Sequence, residues 1–550
     1  MRLAQCFCFL VAMSGLIAAQ SGASNAVSDT PKADKEVQKL MDAMAAQQRA
    51  IDQQQAAIAD QQKQIAEQRQ ELEALKRQLA DAVAPSAKIV NTALSETSGA
   101  TEVAASHSSI QPEAPQGKVR ESPISLRVGG AEFTPGGFLD LTFFWRSTNV
   151  GNGYGTNFFA IPYANTIPGQ ITETRFTAEN SRISLKVTSN FKGTDVIGYY
   201  EQDFHGNQPV NLNVTANSNT NRLRLYWFDA RNGKWEILAG QAWSWLTPNR
   251  LGIGSLPSDV FYSLNQDANY QVGLTWTRAP QIRGVFHPNE HWALGLGLEN
   301  PDQFVGQAGQ VTFPNAFNTP AVTTQFDAAN QTTTPNRQPD VIAKITYDTD
   351  VSGKHFHVEG VGLGTSVRVL PVVGGTTNSK TGGGVSAAFN LEVFKNFRLI
   401  ANAFWSDGGG RYLFGSGPQA VLSPAGTVAL VHAGGGIGGF EWQATKMHLF
   451  AAYYGADYFS RRFFLDTSAG AKPNIFVGYG GPGSSNAANK SIQEPTVDWI
   501  ITFWKDPQYG ALQLINQVSY LTRVPWFVAP GTPKNARSTM VWSDIRYVIP

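Results

Sequence analysis

Cysteine is almost missing from this chain. Its 550 residues hold two, Cys6 and Cys8, and both lie inside the first apolar stretch. Once that stretch is removed on export no thiol remains, which excludes a disulfide framework, thiol catalysis and zinc–thiolate sites. An excess of charge of one sign is missing too. Lys and Arg number 43 against 42 Asp and Glu, a formal net charge of +1, so nothing electrostatic favours a nucleic-acid partner. No run of 18 apolar residues follows the first stretch, so no membrane helix is available. G-x-S-x-G and H-E-x-x-H are absent, which removes two common hydrolase signatures.

What is abundant is glycine (53) and aromatic residues (32 Phe, 16 Tyr, 13 Trp), with a mean hydropathy just below zero. The N-terminus reads as a secretory signal peptide over residues 1–23. Met1-Arg2 is a short basic start, Cys6 to Ala19 is apolar, and small residues follow, with cleavage expected after Ala19 or Ala23. The stretch is too short to span a bilayer.

Residues 35–83 carry a second pattern. Val37, Met44, Ile51, Ile58, Ile65, Leu72 and Leu79 recur every seven residues, one seam of an α-helical coiled coil. The other core position reads Leu40, Gln47, Gln54, Gln61, Gln68, Leu75 and Ala82. A helix with so narrow an apolar stripe needs partners, and buried glutamines tend to fix register and oligomer number. At 1.5 Å per residue it would reach about 70 Å. Residues 84–128, rich in Ala, Ser, Thr and Pro (Pro85, Pro112, Pro115, Pro123) and without periodicity, read as a flexible linker.

From Gly136 to the end one scheme repeats within the region 129–550. Apolar and polar residues alternate, as in Arg182-Ile183-Ser184-Leu185-Lys186-Val187-Thr188, where a period of two puts Ile183, Leu185 and Val187 on one face. Sixteen such strands are predicted: 136–146, 173–190, 194–205, 220–231, 235–247, 269–287, 291–300, 339–348, 355–370, 383–395, 396–407, 434–445, 447–462, 496–505, 510–526 and 537–549. Short turns built from Asn, Asp, Gly, Pro and Lys, such as Arg231-Asn232-Gly233-Lys234, alternate with long connections such as 147–172, 248–268 and 301–338. Tight turns at one end and long loops at the other are what outer-membrane barrels show. The fold class expected is therefore an all-β transmembrane barrel of about 16 antiparallel strands, preceded by an N-terminal coiled coil. An even count places both barrel ends on the periplasmic side, where a coiled coil must sit. A soluble propeller or β-helix would show an internal repeat, and none is found.

The order of parts resembles the DcaP-like family of trimeric outer-membrane porins: signal, Gln-rich coiled coil (Ala59-Asp60-Gln61-Gln62-Lys63-Gln64-Ile65-Ala66-Glu67-Gln68), Pro-rich linker, barrel. Local stretches carry the resemblance as well: Gly136-Gly137-Phe138-Leu139-Asp140, RFTAENSRISLKVTSNFKG over 175–193, and RLRLYWFDARNGKWEILAGQAWSW over 222–245. The resemblance implies a homotrimer, diffusion of small and often anionic solutes, and a third loop, here 248–268, folded into the pore. One departure is that such barrels commonly end on an aromatic residue. This chain ends Arg546-Tyr547-Val548-Ile549-Pro550, so Tyr547 has to stand in.

In a porin the chemistry is the charge inside. If Leu223, Leu225 and Trp227 face lipid, then Arg222, Arg224 and Tyr226 face the lumen. By the same alternation Arg182, Lys186, Arg368, Arg398, Arg523 and Arg546 are expected to line the pore, Arg368 because Val367 and Val369 would face out. Glu201, Asp203, Glu392, Glu441, Asp498 and Asp544 share the lumen. Arginines lower the entry cost for anions and offer bidentate contacts to carboxylates. The bland alternative pairs each arginine with an acid that only holds the wall together. Loop 248–268, with Arg250, Asp259, Tyr262 and Asp267, is the expected constriction.

Gly434-Gly435-Gly436-Ile437-Gly438-Gly439 satisfies G-x-G-x-x-G, but strand rather than helix follows, so no dinucleotide site is read there. His355 and His357 share a strand face without a third ligand, and a structural role is expected. No cofactor, no metal and no enzymatic activity are expected. The partners expected are outer-membrane lipid and small solutes. A barrel acting as receptor or adhesin, or as a barrel hydrolase, is the alternative.

Overall fold

The computed structural model describes residues 124–206, 219–306, 309–327, 334–468 and 474–550. The signal peptide at 1–23, the coiled coil at 35–83 and the linker as far as residue 123 lie outside the described residues. Among the described residues no helix is long and apolar enough to cross a membrane, and the backbone crosses by strands instead.

Sixteen antiparallel strands close into a barrel. They are β1 Ala131–Arg146, β2 in two segments Glu173–Thr177 and Arg182–Phe191, β3 Thr194–Asp203, β4 Arg222–Asn232, β5 Trp235–Trp243, β6 Arg278–Phe286, β7 Trp292–Glu299 and β8 Asp340–Val351. Then follow β9 Lys354–Val369, β10 Asn378–Phe394, β11 Phe397–Asp407, β12 His432–Gln443, β13 His448–Phe459, β14 Asn489–Asp506, β15 Gly510–Pro525 and β16 Ala536–Val548. Each pairs with its neighbours in chain order. β16 closes the ring against β1, with Thr142 opposite Asp544 and Phe138 opposite Val548. Both segments of β2 pair with β1, so they form one strand interrupted at 178–181. There Ser181 Oγ accepts from the Asp140 N–H at 3.0 Å and Asn180 Nδ2 donates to the Asp140 carboxylate at 2.9 Å.

One rim is built of tight turns. Phe191 faces Thr194 across Lys192-Gly193, and Val351 faces Lys354 across Ser352-Gly353. Both central residues have positive φ in each turn (51° and 82°, 54° and 71°), the form whose twist matches the flanking strands. The long connections all leave from the other rim. Two of them fold into small ribbons, Ala420–Leu422 with Val428–Leu430 and Arg462–Asp466 with Ile475–Tyr479.

The wall is inside out relative to a soluble protein. Leu139, Leu141, Ile183, Leu223, Leu294, Leu296, Val385, Trp405, Val518 and Ile545 are exposed. Asp140, Glu201, Asp203, Arg224, Lys344, Glu359, Glu441, Glu494 and Asp498 are buried. Hydrocarbon outside and polar groups inside is the distribution a membrane barrel requires.

Three expectations need correction. The strand predicted over 269–287 starts at Arg278, because Tyr270 (φ 61°) and Gly273 (φ 84°) break the extended backbone and leave 269–277 to the preceding loop. In β4 a bulge falls opposite Glu201 and Gln202, whose partners are Leu225 and Leu223, so Arg224 is the extra residue. Alternation reverses there. Leu223 faces out, yet Leu225 and Trp227 are buried inside, and Tyr226 and Phe228 are exposed outside. Tyr226 is therefore not a lumen residue. In β9 the residues from His357 to Val369 that are odd in number are buried, and Val367 and Val369 pack beneath the loops with Phe326, Leu422 and Leu430. That puts Arg368 on the outer face, opposite to expectation.

Candidate functional site

The connection between β5 and β6, residues 244–277, crosses the barrel interior and is fastened to eight successive strands. From β8, Lys344 Nζ donates to Asn249 Oδ1 at 2.6 Å and to the Trp245 and Thr247 carbonyls. From β9, Glu359 accepts the Asn249 N–H at 3.0 Å and pairs with Lys344 at 2.9 Å. From β10, Asn390 Nδ2 donates to the Arg250 carbonyl at 3.1 Å. From β11, Asn402 Oδ1 accepts the Thr275 hydroxyl at 2.9 Å. From β12, Glu441 binds Arg250 through both oxygens. From β13 the Tyr453 hydroxyl accepts the Leu264 N–H, from β14 Glu494 accepts the Val272 N–H, and from β15 Gln517 Oε1 accepts the N–H groups of Gln266 and Asp267. Each wall group sits on the inner face because strand alternation delivers it there.

Glycine makes the approach possible at one point. A Cβ on Gly455 of β13 would lie 1.7 Å from the Val272 carbonyl oxygen, so loop and wall meet there backbone to backbone. His357 completes the anchoring. Its two ring nitrogens lie 2.7 Å from Asp348 Oδ1 and 3.1 Å from Glu359 Oε2, and Asp348 accepts the Gly252 N–H at 3.2 Å. His355 contacts Asp348 and Asp350. Both histidines thus serve the carboxylates that hold the loop.

The opposite inner wall, β2 to β6, carries the cations. Arg222 donates to both oxygens of Asp203 at 3.0 and 2.7 Å. Arg224 donates to Glu201 at 2.5 Å, to Asp203 at 2.8 Å and to the Tyr270 hydroxyl at 3.0 Å. The Arg182 guanidinium lies 5.2 Å from the Phe138 ring, and Lys186 is half-buried one step further along β2. Arg278, at the start of β6, adds a fourth guanidinium and has no carboxylate within ion-pair distance among the described residues. Four guanidinium groups therefore gather against two carboxylates, Glu201 and Asp203.

Arg182, Lys186, Arg222 and Arg224 come together on this wall. The other expected residues separate from them. Arg398 is buried inside beside Glu441, its strand partner. Arg523 is spent on the long-loop rim, donating to the carbonyls of Ile161 and Asn486 and to Asn489. Arg546 binds Asp140, Gln266 and Asp544. Of the loop residues, Arg250 is locked to Glu441 and Asp267 accepts the Thr156 N–H, so both anchor. Asp259 and Tyr262 stay half-buried, toward Lys186 and Arg182. Burial pushes the Asp259 carboxyl up to about 6. The sequence reading missed Arg278, which lay in a stretch taken for mid-strand, and the Lys344–Glu359 pair that His357 joins. A lysine and a glutamate on neighbouring predicted strands were the available signal for the latter.

No protein-family model matches the chain, and no curated protein does. Among solved structures, the outer membrane channel DcaP of Acinetobacter baumannii aligns with a TM-score of 0.55 at 17% identity, over 76% of this chain and 98% of that one. The chain has the fold of that channel, as its sequence resemblance implied. An anion-selective porin from Comamonas acidovorans aligns more loosely, with a TM-score of 0.42 at 10% identity over 76% of this chain and 100% of that one. OmpF of Salmonella typhi aligns with a TM-score of 0.40 at 9% identity over 78% and 100%.

Proposed function

We propose that the protein is an outer-membrane porin through which small hydrophilic solutes diffuse, anions in preference to cations. One observation carries this reading: a barrel with an apolar outer face holds an interior narrowed by one anchored loop, and beside that loop Arg182, Arg222, Arg224 and Arg278 gather around two carboxylates, Glu201 and Asp203. Sixteen strands leave an aqueous channel unless something fills it. The 244–277 segment is bound to β8–β15 and also meets β4 and β6, through Tyr270 to Arg224 and Ser255 to Arg283, so the passage is placed beside β2, between Arg182 and Lys186 on the wall and Asp259 and Tyr262 on the loop. A positive wall lowers the entry cost for anions, and the facing acid sets a transverse field. No bond-making chemistry is required of any residue.

Assembly as a homotrimer and a periplasmic place for the coiled coil belong to the same proposal. Two supports are the narrow apolar stripe of residues 35–83, which needs partner helices, and the position of Ala131 and Val548 near the tight-turn rim. The test is recording from purified protein in planar bilayers with a KCl gradient. Discrete conductance steps with a reversal potential on the chloride side are expected, and three-step closures report the trimer. A silent bilayer points to a receptor or adhesin, and cation preference removes the selectivity.

A further inference from the structure

On the outer face of the barrel, cations without counter-charges stand just beyond an aromatic belt. Trp405 of β11 stacks on Tyr458 of β13 with centroids 6.3 Å apart and planes 11° apart, and Tyr458 meets Trp526 edge-on at 6.1 Å. Toward the tight-turn rim, Phe450 of β13 stacks on Trp499 of β14 at 6.1 Å and 9°. From Phe450 to Tyr458 is about 27 Å along the strand, or about 21 Å along the axis of a barrel whose strands tilt by about 40°. That is close to the height of the apolar band of such a barrel, so Tyr458 and Trp526 mark the headgroup level on the long-loop side.

Two cations converge there on one ring. The Arg461 guanidinium lies 5.5 Å from the Trp526 ring and the Lys490 ammonium 5.2 Å. The ring is held in place, because its indole N–H donates to the Phe459 carbonyl at 2.8 Å. Arg461 and Lys490 are exposed, as are Arg462, Lys534 and Arg537 on the same rim, and none of these forms an ion pair among the described residues. Over 458–493 and 519–543, the segments that build this rim, the sequence holds one acid, Asp466. It is buried and already accepts the N–H groups of Asn315 and Ser468. The tight-turn rim differs, with Asp195, Glu290 and Asp350 exposed alongside Lys192 and Lys234. Like charges sharing one ring repel each other, and an anion placed between them removes that repulsion.

We propose that this corner of the barrel, from the end of β13 to the start of β16, docks a phosphorylated glycolipid of the outer leaflet. A phosphomonoester of its headgroup sits between Arg461 and Lys490, and its acyl chains run down the wall past Tyr458 over the exposed Val497 and Val518. Charge complementarity selects this occupant. A neutral headgroup leaves both cations unpaired. A free phosphate pairs them but leaves the apolar wall below uncovered. The inference rests on the porin reading for the orientation that turns the long-loop rim outward, and it concerns the lipid against the wall rather than the solute within.

The test is native mass spectrometry on the full-length protein in detergent. Its probes are bisphosphorylated lipid A, the same lipid stripped of phosphate, and inorganic phosphate. The phosphorylated lipid is expected to bind about twentyfold more tightly than the stripped form, since each cation near an anionic headgroup contributes about fivefold. Arg461→Gln combined with Lys490→Gln should lose that margin, whereas Lys192→Gln combined with Lys234→Gln should keep it. If the first double variant does not fold, Lys490→Gln alone carries the test, with a loss of about fivefold. Inorganic phosphate in large excess should not displace the lipid. Equal affinity for the stripped lipid, unchanged binding by the Arg461 and Lys490 variants, or displacement by inorganic phosphate overturns the site. None of these readouts uses current, so a silent bilayer sinks the porin reading alone.

Discussion

Arg250 and Glu441 are joined by two parallel hydrogen bonds, Nη1 to Oε2 at 2.8 Å and Nη2 to Oε1 at 2.7 Å, with both side chains shielded from solvent. The pair ties the inserted loop to β12, and Tyr453 adds a third bond to the same carboxylate at 2.7 Å. Removing one partner leaves the other charge buried, a loss of about 3–5 kcal/mol. Arg250→Ala is therefore expected to loosen the loop and to raise single-channel conductance and its noise. An unchanged conductance trace would show that the other anchors suffice.

Selectivity should follow the wall charges. Arg222 is far more exposed than Arg224, its neighbour among the four guanidinium groups around Glu201 and Asp203. Replacing it together with Arg182 by Gln leaves the two carboxylates opposed by Arg224 and Arg278 alone. The reversal potential in a KCl gradient is expected to move toward the cation side by several millivolts or more. No movement would mean the permeating ions never sense this wall.

Acid should strengthen anion preference. The folded protein holds the Asp259 carboxyl at about 6 because burial disfavours its charge. A raised acid pKa means that its contribution to stability is fully present below the unfolded value of about 4 and is lost as pH rises through 6. Between pH 7.5 and 5 the carboxylate facing Lys186 is neutralised, so chloride preference should increase with a midpoint near 6. Asp259→Asn should show the acidic behaviour at every pH. A pH-independent reversal potential in the unmodified protein would contradict this.

Gly455 is expected to tolerate no side chain. Its Cβ would collide with the Val272 carbonyl, whereas one on Gly438 of β12 would meet nothing within 4 Å. Gly455→Ala should displace the loop and change conductance, and Gly438→Ala should leave it alone. Matching traces from the two variants would place the loop elsewhere.

The barrel was legible because lipid imposes a period of two on every strand, so Ile183, Leu185 and Val187 announce an outer face without any tertiary knowledge. The turns at Lys192-Gly193 and Gly233-Lys234 were legible because few residues accept positive φ. What failed was local. One extra residue at Arg224 reversed the phase of β4 and turned Leu225 and Trp227 inward, and no alternation count reveals a bulge. Val367 and Val369 looked lipid-facing because an apolar side chain does not state whether it packs on hydrocarbon or under a loop. Arg250 and Asp267 were found as loop residues, but their service as anchors depends on Glu441 and Thr156, distant in the chain. Arg278 was hidden because Tyr270 and Gly273 break a stretch that reads as continuous strand.

The eight-strand attachment of residues 244–277 separates two tasks that a cylinder of sheet would otherwise have to share. The cylinder answers to the thickness of the membrane, and the span laid across it answers to whatever is let through. Wall positions such as Lys344 and Gln517 grip mostly main-chain atoms of that span, so side chains other than the anchors Arg250 and Asp267 can be rewritten while the grip persists. A lineage of such barrels could change its diet by editing a single connection and leave the cylinder untouched.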